Sequence, residues 1–182
     1  MRYQLHLSMT EEDYLNFNYF QTMESEQGKK MLMKSRLLLL VIMAAAVLLM
    51  VIIIGLDSFL IPYVSLMVII TVIYMAFYKK IFGRNLRKQI LKTKKAGRLP
   101  YEPDVEYEFY EDKVVAIAPE TRTECSYRQI ERICVVGERY IYVYNSSVSA
   151  LVLSVPQIRQ QVNETEFLQF LTEKCPNVEH YQ

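Results

Sequence analysis

The chain has 182 residues, 52% of them hydrophobic, and 21 Lys and Arg against 20 Asp and Glu give a formal net charge of +1. That length holds one ordinary domain plus something small, and the charge balance gives no reason to expect a nucleic-acid partner. Three cysteines, an odd number, and two histidines at opposite ends of the chain exclude a disulfide framework and any zinc-ligand template.

Residues 1–27 predict a strand and a helix. Tyr3, Leu5, Leu7 and Met9 alternate with Arg2, Gln4, His6 and Ser8, the period of a strand. Thr10-Glu11-Glu12-Asp13 then supplies an N-cap with acidic residues in the first turn, where the helix dipole favours them. A helix to about Met23 follows, with Tyr14, Leu15, Phe17 and Phe20 on a loose apolar face. An isolated strand over residues 2–9 would be unstable alone, so this segment is expected to pack against strands later in the chain.

Residues 28–36 form a basic juxtamembrane segment carrying Lys29, Lys30, Lys34 and Arg36. Leu37 to Ile54 then reads LLLLVIMAAAVLLMVIII without a polar side chain, enough helix to cross the roughly 30 Å hydrocarbon core of a bilayer. A soluble core helix would keep a polar stripe. Ala44-Ala45-Ala46 has the A-x-A pattern of a cleavage site, but eight apolar residues follow it and thirty-six residues precede the run, so cleavage is not expected.

Residues 55–58 make a tight link, and 59–78 a second span, with Pro62 tolerated in its first turn and Tyr63 and Tyr78 near the two interfaces. Residues 79–100 continue as an amphipathic basic helix and linker, with Phe82, Leu86 and Ile90 at four-residue intervals and Gly97 and Pro100 as stop signals. The stretch carries Lys79, Lys80, Arg84, Arg87, Lys88, Lys92, Lys94, Lys95 and Arg98, and no acidic residue lies between Ser58 and Tyr101. These residues are the candidate membrane-surface set, facing anionic lipid at about 1 kcal/mol per basic residue near the surface. The link carries only Asp57, so the positive-inside rule places both termini in the cytoplasm and 55–58 outside.

Residues 101–175 change to short β-like runs: Val105 to Phe109, Val114 to Ala118, Arg122 to Tyr127, Ile133 to Val136, Tyr140 to Tyr144 and Ala150 to Val155. Asn163 caps a closing helix to about Cys175, and 176–182 read as a tail. The fold class is therefore an α+β membrane protein, a two-helix transmembrane hairpin plus a cytoplasmic β-rich domain closed by a C-terminal helix.

Cys125-Ser126-Tyr127-Arg128-Gln129-Ile130, the tyrosine-rich Tyr140-Ile141-Tyr142-Val143-Tyr144, and Ala150-Leu151-Val152-Leu153-Ser154-Val155-Pro156 resemble the YcxB-like family of bacterial membrane proteins. Tyr127 stands where related sequences usually carry Trp, and Gln157 where they carry Lys. The β-rich part is similar to bacterial pleckstrin-homology-like domains. The resemblance implies a multi-pass protein of the bacterial cell membrane and brings no catalytic residues with it.

No nucleophile-base pair, metal motif or phosphate-cradling glycine loop occurs, so neither an enzyme nor a cofactor is expected. The preferred reading is a membrane-anchored interaction module whose partners are the bilayer and either anionic headgroups or another membrane protein. Tyr127, Arg128, Tyr140 and Tyr142 are its candidate partner surface, because Tyr and Arg are favoured at interfaces. The alternative is an oligomeric small-solute transporter or channel component built from the hairpin; Ala44, Ala45 and Ala46 would permit close helix approach in such a homo-oligomer.

Overall fold

The computed structural model describes residues 1–55, 60–97, 99–147, 149–175 and 177–181. It divides into two compact units, Met1–Phe17 with Arg98–Gln182, and Asn18–Gly97.

In the first unit, β1 (Tyr3–Ser8), β2 (Asp104–Phe109), β3 (Lys113–Ile117) and β4 (Arg122–Ser126) form one antiparallel sheet in that order. The N-terminal strand pairs along its whole length with β2, from Tyr3 opposite Phe109 to Ser8 opposite Asp104. The alternation that marks β1 sends Leu5 and Leu7 inward beside Val105, Tyr107 and Phe109.

The second sheet has the order β7 (Ala150–Ser154), β6 (Tyr140–Tyr144), β5 (Arg132–Val136), β8 (Val178–Tyr181). Strand β8 lies in the segment read as a tail and pairs parallel to β5. Four residues of mixed character, Val-Glu-His-Tyr, carry no strand signal of their own. The pairing exists because the last helix returns the chain beside β5, where Asn177 accepts the Ile133 N–H at 2.9 Å and donates to the Glu131 carbonyl at 3.1 Å.

The helix α5 (Glu164–Lys174) is capped by Asn163, whose side chain accepts from the Thr165 and Glu166 N–H groups. It lays Phe167, Phe170 and Leu171 into the core formed by both sheets. Phe167 meets Phe109 edge-on at 5.0 Å and Tyr3 at 5.3 Å. A fully buried Phe or Leu of this kind contributes about 1.5–3 kcal/mol.

Strand β1 is an edge, yet the outward backbone groups of His6 and Ser8 are occupied. A short helix, α4 (Val155–Arg159), follows β7 directly where the sequence reads as strand to Val155. Gln157 on α4 accepts from the Ser8 N–H at 2.8 Å and donates to the Ser8 carbonyl at 2.9 Å. Gln161 does the same to His6, at 2.8 Å in both directions. Two side-chain amides thus imitate a neighbouring strand and blunt an edge that would otherwise invite another chain. Replacing both, Gln157→Ala with Gln161→Ala, should cost about 1–3 kcal/mol and speed amide hydrogen exchange at His6 and Ser8; unchanged protection at those two amides would show that the amides contribute nothing.

The second unit starts within α1 (Glu11–Tyr19), which passes into a π-helical stretch, Phe20–Glu24, so the helical run ends within a residue of Met23. Ser25 caps α2 (Glu26–Ile54), accepting from the Gly28 N–H at 3.0 Å while its hydroxyl donates to the Gln21 carbonyl at 2.7 Å. A Cβ on Gly28 would stand 2.3 Å from that same carbonyl oxygen, so the corner admits no other residue without shifting. The basic 28–36 segment is therefore the first part of one 29-residue helix rather than a separate approach. The second helix, α3 (Leu60–Lys95), runs unbroken for 36 residues, and beyond it Gly97 adopts a φ of 74°.

Partly covered residues on α2, Leu39, Met43, Ala46 and Met50, and on α3, Val64, Met67, Thr71, Met75 and Tyr78, recur three or four apart. The Thr71 hydroxyl donates to the Met67 carbonyl at 2.8 Å, which removes its cost in lipid. Both helices are long and apolar enough to cross a membrane, and none of the most apolar window of either is buried. Exposed apolar surface on this scale is that of a membrane protein with a helical hairpin. The link expected at 55–58 lies, beyond Gly55, outside the described residues.

Candidate functional site

The basic residues after the second span all stand exposed on α3, from Lys79 and Lys80 through Arg84, Arg87, Lys88, Lys92 and Lys94 to Lys95; Arg98 lies outside the described residues. Because the helix does not break, Lys95 lies about 25 Å beyond Tyr78 along the axis at 1.5 Å per residue. Salt screens exposed charges over about 8–10 Å. For a span that stands upright, the headgroups are then within reach of Lys79, Lys80 and Arg84, and the later residues stand clear of them.

Charge is partitioned between the units. Met1–Phe17 with Arg98–Gln182 holds nine Lys and Arg against seventeen Asp and Glu, a net −8, whereas Asn18–Gly97 holds twelve against three, a net +9.

The tyrosine candidates are spent on packing. Strand β6 is buried on both faces: Ile141 and Val143 point into the core between the sheets, and the tyrosines point the other way. Tyr142, 1% exposed, meets the Phe17 ring at 5.2 Å and stacks on Tyr140 at 5.6 Å. The Tyr140 hydroxyl donates to the Asp13 carboxylate at 2.6 Å and accepts from the Asn16 amide at 3.2 Å. What these side chains recognise is therefore α1, which period-2 alternation in β6 could not reveal. Arg132 is 5% exposed and lies 4.2 Å over the Tyr144 ring. Replacing Tyr142 with Ser should destabilise the unit by about 3–5 kcal/mol, as truncation of a buried aromatic does, measurable as a lowered unfolding midpoint.

Tyr127 is buried on the turn after β4, its hydroxyl donating to the Tyr110 carbonyl at 3.1 Å and its ring edge-on to Phe170 at 6.0 Å. Its neighbour Arg128 is exposed. Together they line a cleft of about 490 Å³ with Glu111, Asp112, Ser126 and Lys174. The volume is that of small-molecule sites. Sequence reasoning found Tyr127 and Arg128 but not the other four, which come from the β2–β3 turn, the end of β4 and the end of α5.

At the cleft wall, Glu111 accepts from Lys174 Nζ at 2.8 Å and from an Arg2 guanidinium nitrogen at 3.2 Å. Those two cations, Lys174 first, hold its carboxyl below the usual carboxylate range. Between the membrane helices a second cleft, about 660 Å³, is lined by apolar side chains such as Met43, Val47, Val51, Val64 and Met67. It offers a permeating solute no group to replace its water.

Cys125, Cys134 and Cys175 are buried, and burial pushes the Cys134 thiol up to about 12. Among the described residues no three His, Cys, Asp or Glu side chains are grouped to hold a metal ion. Burial alone raises the Tyr107 phenol to about 12. The folded state holds the neutral form, so this stabilisation is complete below pH 10 and is lost as pH rises through 12. Thermal unfolding followed from pH 9 to pH 12 should show that decline, and Tyr107→Phe should lessen it. No family model, curated protein or solved structure matches the chain, so its function is argued from these geometries.

Proposed function

We propose that this protein is a membrane-anchored binding module that works on the cytoplasmic side of the bacterial cell membrane. The observation that carries the reading is the interruption of one folded β unit, between Phe17 and Arg98, by two exposed apolar helices. A unit tethered through two covalent connections stays within nanometres of the bilayer, which raises its effective concentration for anything else held there. The twelve basic residues of the hairpin unit flank its spans on one side, which supports cytoplasmic termini. The reading extends to a pleckstrin-homology-like fold of the YcxB-like kind, for which two small sheets closed by one helix are the requirement.

Binding is favoured over catalysis because the thiols are buried and His6 and His180 belong to strands of different sheets. A protein or small-molecule ligand is favoured over the lipid surface as the partner of the β unit. A body of net −8 is repelled by anionic headgroups, and attraction to them falls to Lys79, Lys80 and Arg84.

Affinity recovery of the tagged full chain from native membranes in mild detergent tests this. The expected outcome is a stoichiometric partner that survives replacement of Leu37–Ile54 by polyleucine and is lost on charge reversal of the exposed Arg128. Recovery of the chain alone, or of a partner that follows the spans, would overturn it in favour of a role for the hairpin itself.

A further inference from the structure

We propose that the cleft between the β2–β3 turn and the end of α5 binds a phosphate group whose ester carries a neighbouring hydroxyl or ammonium. This deepens, and rests on, the reading of the β unit as a binding module.

The chemistry follows from the lining. Of only nine basic residues in a unit of net −8, Arg128 and Lys174 line the cleft and Arg2 reaches Glu111 on its wall. Arg2 and Lys174 converge on Glu111, a side chain 65% exposed, and exposed ion pairs of this kind contribute little. The two cations are also positioned independently of that carboxylate. The Arg2 guanidinium carbon and Lys174 Nζ each lie 5.5 Å from the centroid of the buried Phe170 ring, a cation–π arrangement that remains if Glu111 swings away.

Glu111 therefore occupies the place of an anion by way of an exposed side chain, while its cations lie against the core ring of Phe170. Arg128, exposed and lining the same cleft, supplies a third cation. A phosphate dianion gains more than a carboxylate from three such donors, because it offers more oxygens for charge-assisted hydrogen bonds.

The remaining lining sets the second requirement. Asp112 is held in place through its backbone, its carbonyl accepting from the Tyr127 N–H at 3.2 Å and from the Ser126 hydroxyl at 3.4 Å. Asp112 is one of the residues lining the cleft, and a carboxylate there would repel a bare anion but accept from a hydroxyl or ammonium beside the phosphate. Phosphoethanolamine and phosphoglycerol have this form as soluble monoesters, and as lipid headgroups they keep it with one charge and one free oxygen fewer.

The test uses the full chain in phosphatidylcholine nanodiscs, with NMR signals of Ser126, Tyr127, Arg128 and Lys174 followed during titration with phosphoethanolamine and with inorganic phosphate. Saturable shifts are expected, tighter for phosphoethanolamine. Arg128→Ala should weaken binding by about tenfold, the worth of one charge-assisted hydrogen bond, and Glu111→Gln should strengthen it by freeing Arg2 and Lys174. Asp112→Asn should remove the preference over inorganic phosphate.

A parallel arm places phosphatidylethanolamine in the nanodisc. Shifts there but not with soluble phosphoethanolamine assign the headgroup as source, and the reverse assigns a soluble ligand. The absence of shifts in every arm, or affinities indifferent to both Arg128→Ala and Glu111→Gln, overturns the proposal. A protein partner still recovered from membranes in that case would leave the tethered module intact and remove only the cleft.

Discussion

The pairing of β1 with β2 is the contact on which the β unit depends. Six residues near the start of the chain find their partner about a hundred positions later, and both membrane helices lie between the two. Without β1, the inward row of Val105, Tyr107 and Phe109 would lose Leu5 and Leu7, and α5 would lose the Tyr3 ring that Phe167 and Phe170 flank. Loop-closure entropy grows only slowly with length, so the separation is tolerable at equilibrium. Its burden is kinetic, since non-local pairing is slow to form.

The glutamine pair matters for the same reason. A strand that waits for its partner is exposed on both edges, and one edge stays open even after β2 has docked. Gln157 and Gln161 occupy it at Ser8 and His6 with groups that need no further strand. Side-chain amides suit this task because each carries a donor and an acceptor in the same plane as a peptide bond does.

Much of the architecture was legible in the residues. The spans, six of the eight strands within a residue of their ends, β1, and the Asn163 cap all follow from patterns local to the chain. What was not legible depended on distant neighbours. Strand β8 takes its conformation from β5, and α4 begins at Val155, where β-branched residues favour a strand. The candidate surface was read least well. Tyr140 and Tyr142 have the composition of an interface because they make one, but it is internal, with Phe17, Asp13 and Asn16 as the complement. The cleft brings together Glu111, Arg128 and Lys174, which no spacing in the sequence associates.

The unbroken course of α3 turns the second span into a lever. Bilayers differ in thickness by a few ångströms, and a spanning helix answers mismatch by tilting. With about 25 Å of helix projecting past the apolar segment, a change of about 10° in tilt carries Lys95 sideways by roughly 4 Å, taking 1.5 Å per residue for the projecting part. With Leu60–Tyr78 set in a bilayer, a change in the surrounding lipid would thus move the end of α3 without any hinge inside that helix.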